Sequence, residues 1–470
     1  MKKYILSHDF GTSSDKIILF STDGSIIRSH SETYHTYIGP DRESEQDPED
    51  WWKAFCQGNV VILEGIDPGE LACVAIDGTD PNLICIGKDH KAIGRSIMWN
   101  DTRAKDAAET WNQKHETQIN AGSAAARLLW MHEHHPEILS ESAMILSTNH
   151  SYLIYRLCGK AVCDTDSAID SGMYIRSERR WNTEMLKEAK VSLDCFPEIV
   201  DPTQIVGEVS ENISEKCHLA KGIPLIGGLP DASAAAVGTG ALLLHNAVLS
   251  CGTSAGIMYK TEHEDFGFKP FSFSISAGSS YNWALKTLLG ERDFALAEQM
   301  ILNSSAGSNG VIFHPYLSGE RKPYSNPSAK GSWTGLSQAT TRNDLLRSVV
   351  EGIVINLALI LEEIREKGYI IDEMTITGGF SRSDAICQII ADVMNVRLHT
   401  LRYPDLSGAI GSAVLGGVAV GIWEDLSVIR QFIQFERTFV PDQTASKFYS
   451  SRIALFREIY GQLESVYPGL

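Results

Sequence analysis

The stretch HDFGTSSDKIILFSTDGSIIRS, residues 8–29, decides how the front of the chain folds. It places a carboxylate, Asp9, beside a glycine and three hydroxyl residues, and then continues into the apolar residues 17–20. Gly, Ser, Thr and Asp are ordinary turn residues, so one interpretation is a β-hairpin with a polar turn. The other is a cradle for a phosphate, in which glycine admits backbone N–H groups, hydroxyls donate and the carboxylate holds a metal.

A second glycine–hydroxyl turn, SCGTSAG, occurs at residues 250–256, directly after the apolar residues 247–249. Two such turns, one in each half of the chain, indicate a duplicated architecture with one phosphate loop in each copy. The alternation of strand-like and helix-like segments indicates an α/β fold. The boundary between the copies is predicted near residues 240–246, and we expect two domains, residues 1–243 and residues 244–470.

The composition narrows the functional classes. A chain of 470 residues, 43% of them hydrophobic, is long enough for two domains with separate cores. The net charge of −18 argues against a general nucleic-acid binder, although a local glycine loop with a bound cation can still hold ATP. The nine cysteines form no C-x-x-C pair, and no signal peptide or membrane-spanning run is evident. We therefore expect a reduced, cytoplasmic protein that has no membrane partner.

Asp231 is a candidate catalytic base. It follows the apolar residues 223–226 and the pair Gly227-Gly228, and it precedes a small-residue segment that is predicted to be helical. An aspartate at this place can simply cap the helix. Alternatively, the glycines let a substrate approach the backbone, and the small residues leave space above the helix. Asp231 could then accept a proton from an attacking hydroxyl while Asp9 acts through Mg²⁺.

The sequence GGFSRS, residues 378–383, lies between a predicted strand at 374–377 and a predicted helix at 383–394. Glycines at a helix N-terminus allow the close approach of a nucleotide, although an isolated Gly-Gly pair is more often a packing turn. The chain contains no G-x-x-x-x-G-K-[ST] motif, so a P-loop kinase is not expected.

These residues lie within a wider resemblance to the FGGY carbohydrate kinases. The sequence GSWTGL at 331–336, followed after seven residues by DLxxSVVE at 344–351, fits that family's C-terminal signature at every specified position. The upstream FHPYLSGER at 313–321 also resembles the family. The resemblance extends from Asp9 to Gly421. It implies the two-domain, ribonuclease H-like ATPase fold of actin and hexokinase, with the active site in the interdomain cleft.

The resemblance implies roles for the residues at matching positions. Asp9 matches the metal-associated carboxylate, and Asp231 matches the catalytic base. The expected cofactors are ATP and Mg²⁺. The expected cofactor-binding residues are Gly11, Thr12, Ser13 and Lys16 at the first phosphate loop, Gly252 and Thr253 at the second, and Gly378, Gly379 and Ser383 in the adenosine motif.

The sugar-binding positions depart from the family's patterns. In IDGTDPN, residues 76–82, Asp80 falls where xylulose kinases carry a histidine and glycerol kinases a glutamate. A carboxylate can accept from two hydroxyls, which suits a diol, although aspartate is also a common turn residue. The family's N-terminal signature is degraded at residues 122–134, where Gly122 replaces the substrate-contacting tyrosine of glycerol kinases. The candidate substrate-binding residues are Thr79, Asp80, Trp99 and Asp231.

We therefore expect an ATP-dependent kinase that phosphorylates a primary hydroxyl of a ketose or pentulose, xylulose- or ribulose-like, or of a related polyol. The altered substrate turn motivates an alternative, a catalytically silent sugar- or nucleotide-binding regulator with the same fold. Against this alternative, both carboxylates and all the ATP motifs are present. The expected partners are the sugar and ATP. Family members often form dimers or tetramers, so the resemblance also suggests a homodimer.

Overall fold

The computed structural model describes residues 2–40, 43–115, 119–241, 243, 246–260, 272–290 and 292–470. The chain divides into two compact units. The first unit is Met1–Gly238 with Asp405–Phe432, and the second is Thr239–Pro404 with Ile433–Leu470. The observed division therefore differs from the predicted one between residues 243 and 244, and Leu244 itself lies outside the described residues. The larger difference is that Asp405–Phe432 belongs to the first unit.

The chain up to Gly238 alternates strands and helices. The strands are β1 (Tyr4–Phe10), β2 (Ser14–Ser21), β3 (Ile26–Thr33), β4 (Tyr37–Ile38), β5 (Ser44–Gln46), β6 (Leu71–Gly78), β7 (Ile84–Gly87), β8 (Ser96–Ile97), β9 (Ser142–Leu146), β10 (Val162–Asp164), β11 (Tyr174–Ile175), β12 (Arg180–Trp181), β13 (Glu198–Val200), β14 (Ile205–Glu208), β15 (Pro224–Ile226) and β16 (Leu229–Pro230). The helices are α1 (Pro48–Ile62), α2 (Lys105–His115), α3 (Ala124–His134), α4 (Pro136–Glu141), α5 (Asn149–Cys158), α6 (Thr165–Asp170), α7 (Thr183–Glu188), α8 (Glu211–Ser214) and α9 (Asp231–Gly238).

The rest of the chain continues the alternation. Its strands are β17 (Asn246–Cys251), β18 (Ala255–Tyr259), β19 (Ser272–Ser274), β20 (Ile312–His314), β21 (Ser332–Thr334), β22 (Glu373–Gly378), β23 (Arg397–Leu401) and β24 (Phe435–Phe439). Its helices are α10 (Gly278–Leu289), α11 (Phe294–Leu302), α12 (Arg342–Glu366), α13 (Asp384–Met394), α14 (Ser407–Ala419), α15 (Ile429–Phe432) and α16 (Gln443–Leu463). The predicted α/β class is confirmed.

The first unit is organised around a seven-stranded sheet in the order β14-β15-β6-β1-β2-β3, with β16 also paired to β6. The strands β1 and β6 are parallel, and every residue of β6 is buried, as is typical of a strand covered on both faces. The strands β1, β2 and β3 form an antiparallel meander, so the polar stretch at residues 11–13 is its first turn. Because β1, β6 and β16 are parallel neighbours, their carboxyl ends meet at one edge of the sheet.

The second unit repeats this pattern. Its six-stranded sheet has the order β19-β18-β17-β22-β23-β24. The strand β17 is antiparallel to β18 and parallel to β22, as β1 is to β2 and β6. The glycine–hydroxyl turn between β17 and β18 therefore occupies the same place as the turn between β1 and β2. The long helix α12 begins with a capping box between Thr341 and Asp344, which gives the aspartate of the DLxxSVVE stretch a structural role.

Small residues explain why α14 packs within the first unit. An added Cβ at Gly411 would lie 1.8 Å from the Ala234 carbonyl oxygen, so only glycine permits this approach of α14 to α9. The Ser7 Oγ on β1 donates to the Ala409 carbonyl oxygen of α14 at 2.7 Å. The glycine spacing of residues 408–421 predicts this helix, but the spacing carries no information about which unit the helix covers.

Two further observations bear on the setting of the protein. All nine cysteines are free thiols. Within the described ranges, none of the helices has both the length and the apolar character that a membrane crossing requires.

Candidate active site

Three aspartates lie at the carboxyl edge of the first unit's sheet. Asp9 is the penultimate residue of β1, and Asp77 is its partner in the register of β6. Asp231 is the first residue of α9 and directly follows β16, which pairs with β6 at Asp77 and Gly78. Sequence analysis selected Asp9 and Asp231 but missed Asp77. The only signal that could have found Asp77 is the alignment of the two strand ends, because the IDGTDPN stretch by itself looks like a turn.

Burial and mutual repulsion raise the pKa values of these carboxyl groups. Burial raises the pKa of Asp9, and the nearby Lys16 opposes that shift, since its Nζ lies 3.6 Å from Asp9 Oδ2. Burial raises the pKa of Asp77 well above its ordinary value, and the negative charge of Asp9 adds to the effect. The same two causes raise the pKa of Asp231 to about 7. A carboxyl group with a pKa near neutrality is suited to accept a proton during a reaction.

The first predicted phosphate loop, residues 11–13, joins β1 to β2 and is fixed by hydrogen bonds with residues outside the loop. The Gly11 N–H donates to the Ser14 carbonyl oxygen at 3.1 Å, and the Gln46 Nε2 donates to the Thr12 carbonyl oxygen at 2.6 Å. The Gly11 N–H is therefore used inside the hairpin. Gly11 can help to bind an anion because it leaves space near the backbone, but its own N–H does not donate to that anion.

The residues predicted to bind the sugar, which would accept the phosphate, lie next to this loop. The Trp99 side chain is 44% exposed, and its Nε1 donates to Thr12 Oγ1 at 3.3 Å. The Asn82 Oδ1 accepts from the Trp99 backbone N–H at 3.1 Å, and the Asn82 Nδ2 donates to the Thr79 carbonyl oxygen at 2.8 Å. The structure thus brings Trp99 and the turn at Thr79 and Asp80 to the predicted phosphate loop. Asn82, which makes this connection, was missed from the sequence.

Thr79 itself shapes the turn. It is 1% exposed, and its Oγ1 accepts from the Nδ2 atoms of Asn82 at 3.2 Å and of Asn149 at 3.1 Å. Its backbone N–H donates to the Phe10 carbonyl oxygen at 3.0 Å. The sequence prediction of a direct sugar contact is therefore revised for Thr79, because its hydroxyl is buried among internal partners. Asp80 and Trp99 stay candidate contacts.

His8 supports the hairpin from the opposite face of the sheet. It is fully buried, with Nδ1 2.8 Å from Asp15 Oδ2 and Nε2 3.1 Å from Asn59 Oδ1. Its ring stacks on Phe55 with 4.3 Å between the ring centroids. Side chains alternate along a strand, so His8 and Asp9 point to opposite faces. His8 is therefore a structural residue of β1 and not part of the carboxylate site.

The second unit contains a cavity of about 700 Å³, which is large enough for a nucleoside. Residues of the second glycine turn and of the GGFSRS stretch share its wall. Those from the predicted cofactor set are Gly252, Gly379 and Ser383. The aromatic ring of Phe294, which is 59% exposed, and the guanidinium of Arg382 also line the cavity. Phe294 was missed because no motif surrounds it.

Close backbone packing holds the wall of this cavity. Gly378 has a φ of +85°, and an added Cβ there would lie 2.2 Å from the Cys251 carbonyl oxygen. The Thr253 carbonyl oxygen accepts from the Ser279 N–H at 2.9 Å. Ser383 caps α13, because its Oγ accepts from the Ile386 N–H at 3.1 Å. The predicted residues Thr253, Gly378 and Ser383 therefore support the cavity through local backbone geometry.

Comparison with known proteins gives matches along most of the chain. The model described as the FGGY family of carbohydrate kinases, N-terminal domain, matches residues 4–238, and the C-terminal domain of the same family matches residues 247–420. The xylulose kinase of Bacillus subtilis (strain 168) is 26% identical, with 97% of each chain covered. The xylulose kinase of Escherichia coli (strain K12) is 28% identical, covering 97% of this chain and 98% of its own. Among solved structures, gluconate kinase from Lactobacillus acidophilus has a TM-score of 0.87 at 26% identity, with 99% of each chain covered.

Proposed function

We propose, because this chain belongs to the FGGY family of carbohydrate kinases, that it transfers the γ-phosphate of ATP to a primary hydroxyl of a ketose or pentulose. Xylulose- or ribulose-like sugars and related polyols are the proposed acceptors. The observation that carries this proposal is the Asp231 carboxyl group, which begins α9 next to Asp9 and has its pKa raised to about 7. Relatives named xylulose kinase support a pentulose, and neither the site nor the relatives favour a silent regulator.

The residues of the second unit are suited to binding ATP, and those of the first unit to binding the sugar. The second unit's cavity would bind the adenosine of ATP through Gly252, Gly379 and Ser383. The first unit would hold the sugar against the Trp99 ring, with Asp80 accepting from its hydroxyls. Asp231 would take the proton of the attacking hydroxyl. The Thr12 hydroxyl lies beside Trp99 and would face the transferring phosphoryl group.

The Asp9 carboxylate is a suitable ligand for Mg²⁺. The carboxylate is 5% exposed, and oxygen donors of this kind are the ligands that Mg²⁺ prefers. The described part of the chain contains no group of three or more His, Cys, Asp or Glu side chains that could form a complete metal cage. Mg²⁺ typically binds through one or two carboxylates together with substrate phosphates, so one carboxylate is enough. When bound, Mg²⁺ would neutralise developing charge on the phosphate oxygens.

The free thiols fit a reducing compartment in which ATP is available, so we also propose a cytoplasmic location. The homodimer suggested by the family stays a prediction.

An ADP-release assay over a panel of acceptors tests the proposed function. The panel contains ketopentoses, ketohexoses, deoxyketoses, sugar acids, tetritols and glycerol, each with Mg-ATP. We expect sugar-dependent ADP release with the highest kcat/KM on a ketopentose. ADP release without any acceptor measures background hydrolysis, which must stay far below the best rate. Turnover confined to a sugar acid would contradict the proposed substrate class, and no turnover on any acceptor would contradict kinase activity.

The pKa of Asp231 predicts a pH dependence. A general base must be ionised, and Asp231 ionises around pH 7 because burial and Asp9 disfavour its charged form. We expect kcat/KM to rise roughly tenfold per pH unit below pH 7 and to level off above it. The measurement is kcat/KM for the sugar from pH 5.5 to 9 at constant free Mg²⁺ and saturating ATP. A flat profile between pH 6 and 8 would contradict the assignment.

Thermal unfolding provides a control that does not depend on ATP. The pKa of Asp231 is about 7 in the folded protein against an ordinary value of 3.8, so the folded state binds more protons between these pH values. The stabilisation from this proton is complete below the ordinary pKa and is lost as the pH rises through about 7. The Tm of Asp231→Asn should therefore exceed that of the wild type by more at pH 8 than at pH 5.

A further inference from the structure

Asp77 is a buried carboxylate that the proposed mechanism does not use. It lies at 0% exposure in β6 and is the direct register partner of Asp9 in β1. Residues paired in register on neighbouring strands point to the same face of the sheet, so the two carboxyl groups are neighbours. Asp77 therefore lies beside the proposed cation ligand but is itself buried away from solvent.

The orientation of the Asp77 carboxyl group is fixed from α14. The Ser412 Oγ donates to Asp77 Oδ2 at 2.5 Å, and both side chains are fully buried. The other oxygen, Asp77 Oδ1, is buried and has no hydrogen-bond donor within the described ranges. Ser412 therefore fixes one oxygen of Asp77, and the other oxygen keeps its hydrogen-bonding capacity.

Two neighbouring carboxylates in a buried site repel each other unless a proton or a positive charge compensates them. Asp9 forms an ion pair with Lys16, whose Nζ lies 3.6 Å from Asp9 Oδ2, on a side chain that is 34% exposed. One partly exposed ammonium group offsets one of the two charges. A divalent cation at Asp9 would compensate both.

We propose that Asp77 is a positioning residue for the cation site at Asp9. With the divalent cation bound, the Asp77 carboxylate, oriented by Ser412, adds a second negative charge beside Asp9 and strengthens the binding of that cation. Asp77 acts through Asp9, because it has no exposed surface of its own. This inference rests on the proposed function, in which Asp9 holds the cation of a phosphoryl-transfer reaction.

Binding of Mn²⁺ to the full-length protein, followed by electron paramagnetic resonance in the presence of saturating ADP, tests this inference without turnover. The variant Asp77→Asn keeps the size of the side chain and an oxygen that can accept from Ser412, but it removes the charge. We expect it to weaken Mn²⁺ binding by about tenfold, the typical scale for residues that act behind a metal ligand. The Mg²⁺ concentration for half-maximal activity should rise by the same factor, with the KM for the sugar unchanged.

Two serine variants form a matched pair. Ser412→Ala leaves the Asp77 charge but frees its orientation, and we expect Mn²⁺ binding to weaken a few-fold. Ser7→Ala removes a hydroxyl that also bonds to α14, by donating to the Ala409 carbonyl oxygen. This variant should bind Mn²⁺ like the wild type. If packing of α14 alone mattered, the two serine variants would behave alike.

Wild-type Mn²⁺ affinity in Asp77→Asn would overturn the proposal. If Asp77→Asn does not fold, equal Mn²⁺ binding by Ser412→Ala and Ser7→Ala would overturn it, and weaker binding by Ser412→Ala would support it. Failure of the proposed function would be seen separately, as a wild-type protein that binds Mn²⁺ with ADP but releases no ADP from ATP with any acceptor of the panel.

Discussion

Replacing Asp231 by asparagine is expected to lower kcat about a thousandfold and to leave the KM values for ATP and sugar within a few-fold of the wild type. The amide has the size of the carboxyl group but cannot take a proton at neutral pH. A positioned general base contributes roughly 10²- to 10⁴-fold to a reaction rate. Asp231 begins α9 directly after β16, so the amide occupies the same place in the fold. The measurement is steady-state ADP release with the best acceptor of the panel.

Asp166→Asn is the matched control for this prediction. Asp166 lies on α6 and is 8% exposed, and its Oδ2 accepts from the Ser233 hydroxyl of α9 at 3.1 Å. The control therefore removes a carboxylate that contacts the same helix two residues beyond Asp231. We expect its kcat to stay within a few-fold of the wild type. An Asp231→Asn protein with more than a tenth of wild-type activity would show that another group accepts the proton.

Replacing Gly408 by alanine is expected to lower kcat about a hundredfold and to destabilise the fold by about 1–3 kcal/mol. The added Cβ would lie 2.5 Å from Asp9 Oδ2 and 2.7 Å from Asp9 Cγ, far inside van der Waals contact. Asp9 is short, and α14 is tied to β1 by the bond from Ser7 to Ala409, so neither side can yield without moving the carboxylate. The measurements are kcat and the free energy of unfolding from urea titration.

Gly461→Ala is the control for Gly408→Ala. Gly461 lies in α16, and a Cβ added there meets no atom within 4 Å. Alanine is favoured over glycine inside helices by roughly 0.5–1 kcal/mol, so this variant should be as stable as the wild type or more stable. Wild-type kcat and stability in both alanine variants would show that the contact between α14 and Asp9 contributes neither to catalysis nor to stability.

The parts of the candidate site whose positions in the fold follow from the sequence depend on local signals. Asp9 and Asp231 each follow a run of apolar residues and a glycine-containing turn, and the structure places each at the end of a strand or the start of a helix. The helix predicted at 383–394 is α13, Asp384–Met394, and Ser383 caps its N-terminus. Local chemistry and local structure agree at these positions.

The missed parts depend on contacts between distant segments. Asp77 becomes a neighbour of Asp9 only through the register of two strands, and Ser412 reaches Asp77 across 335 positions of sequence. Residue type and periodicity do not encode such pairings. The internal partner of the Thr79 hydroxyl was not predicted for the same reason, since Asn149 approaches it from α5.

The helix that covers the carboxylates is made late in synthesis. A ribosome completes β1 and β6 long before it reaches Ser407, the first residue of α14. Until then, the part of the sheet that α14 covers in the finished structure lacks this helix. We therefore expect the first unit to complete its fold only after Asp405–Phe432 has been made, and not in the usual order in which an N-terminal domain folds before the rest of the chain. A gene cut after Gly238 encodes an incomplete domain. An autonomous version of the first unit has to be built by fusing Asp405–Phe432 to Met1–Gly238.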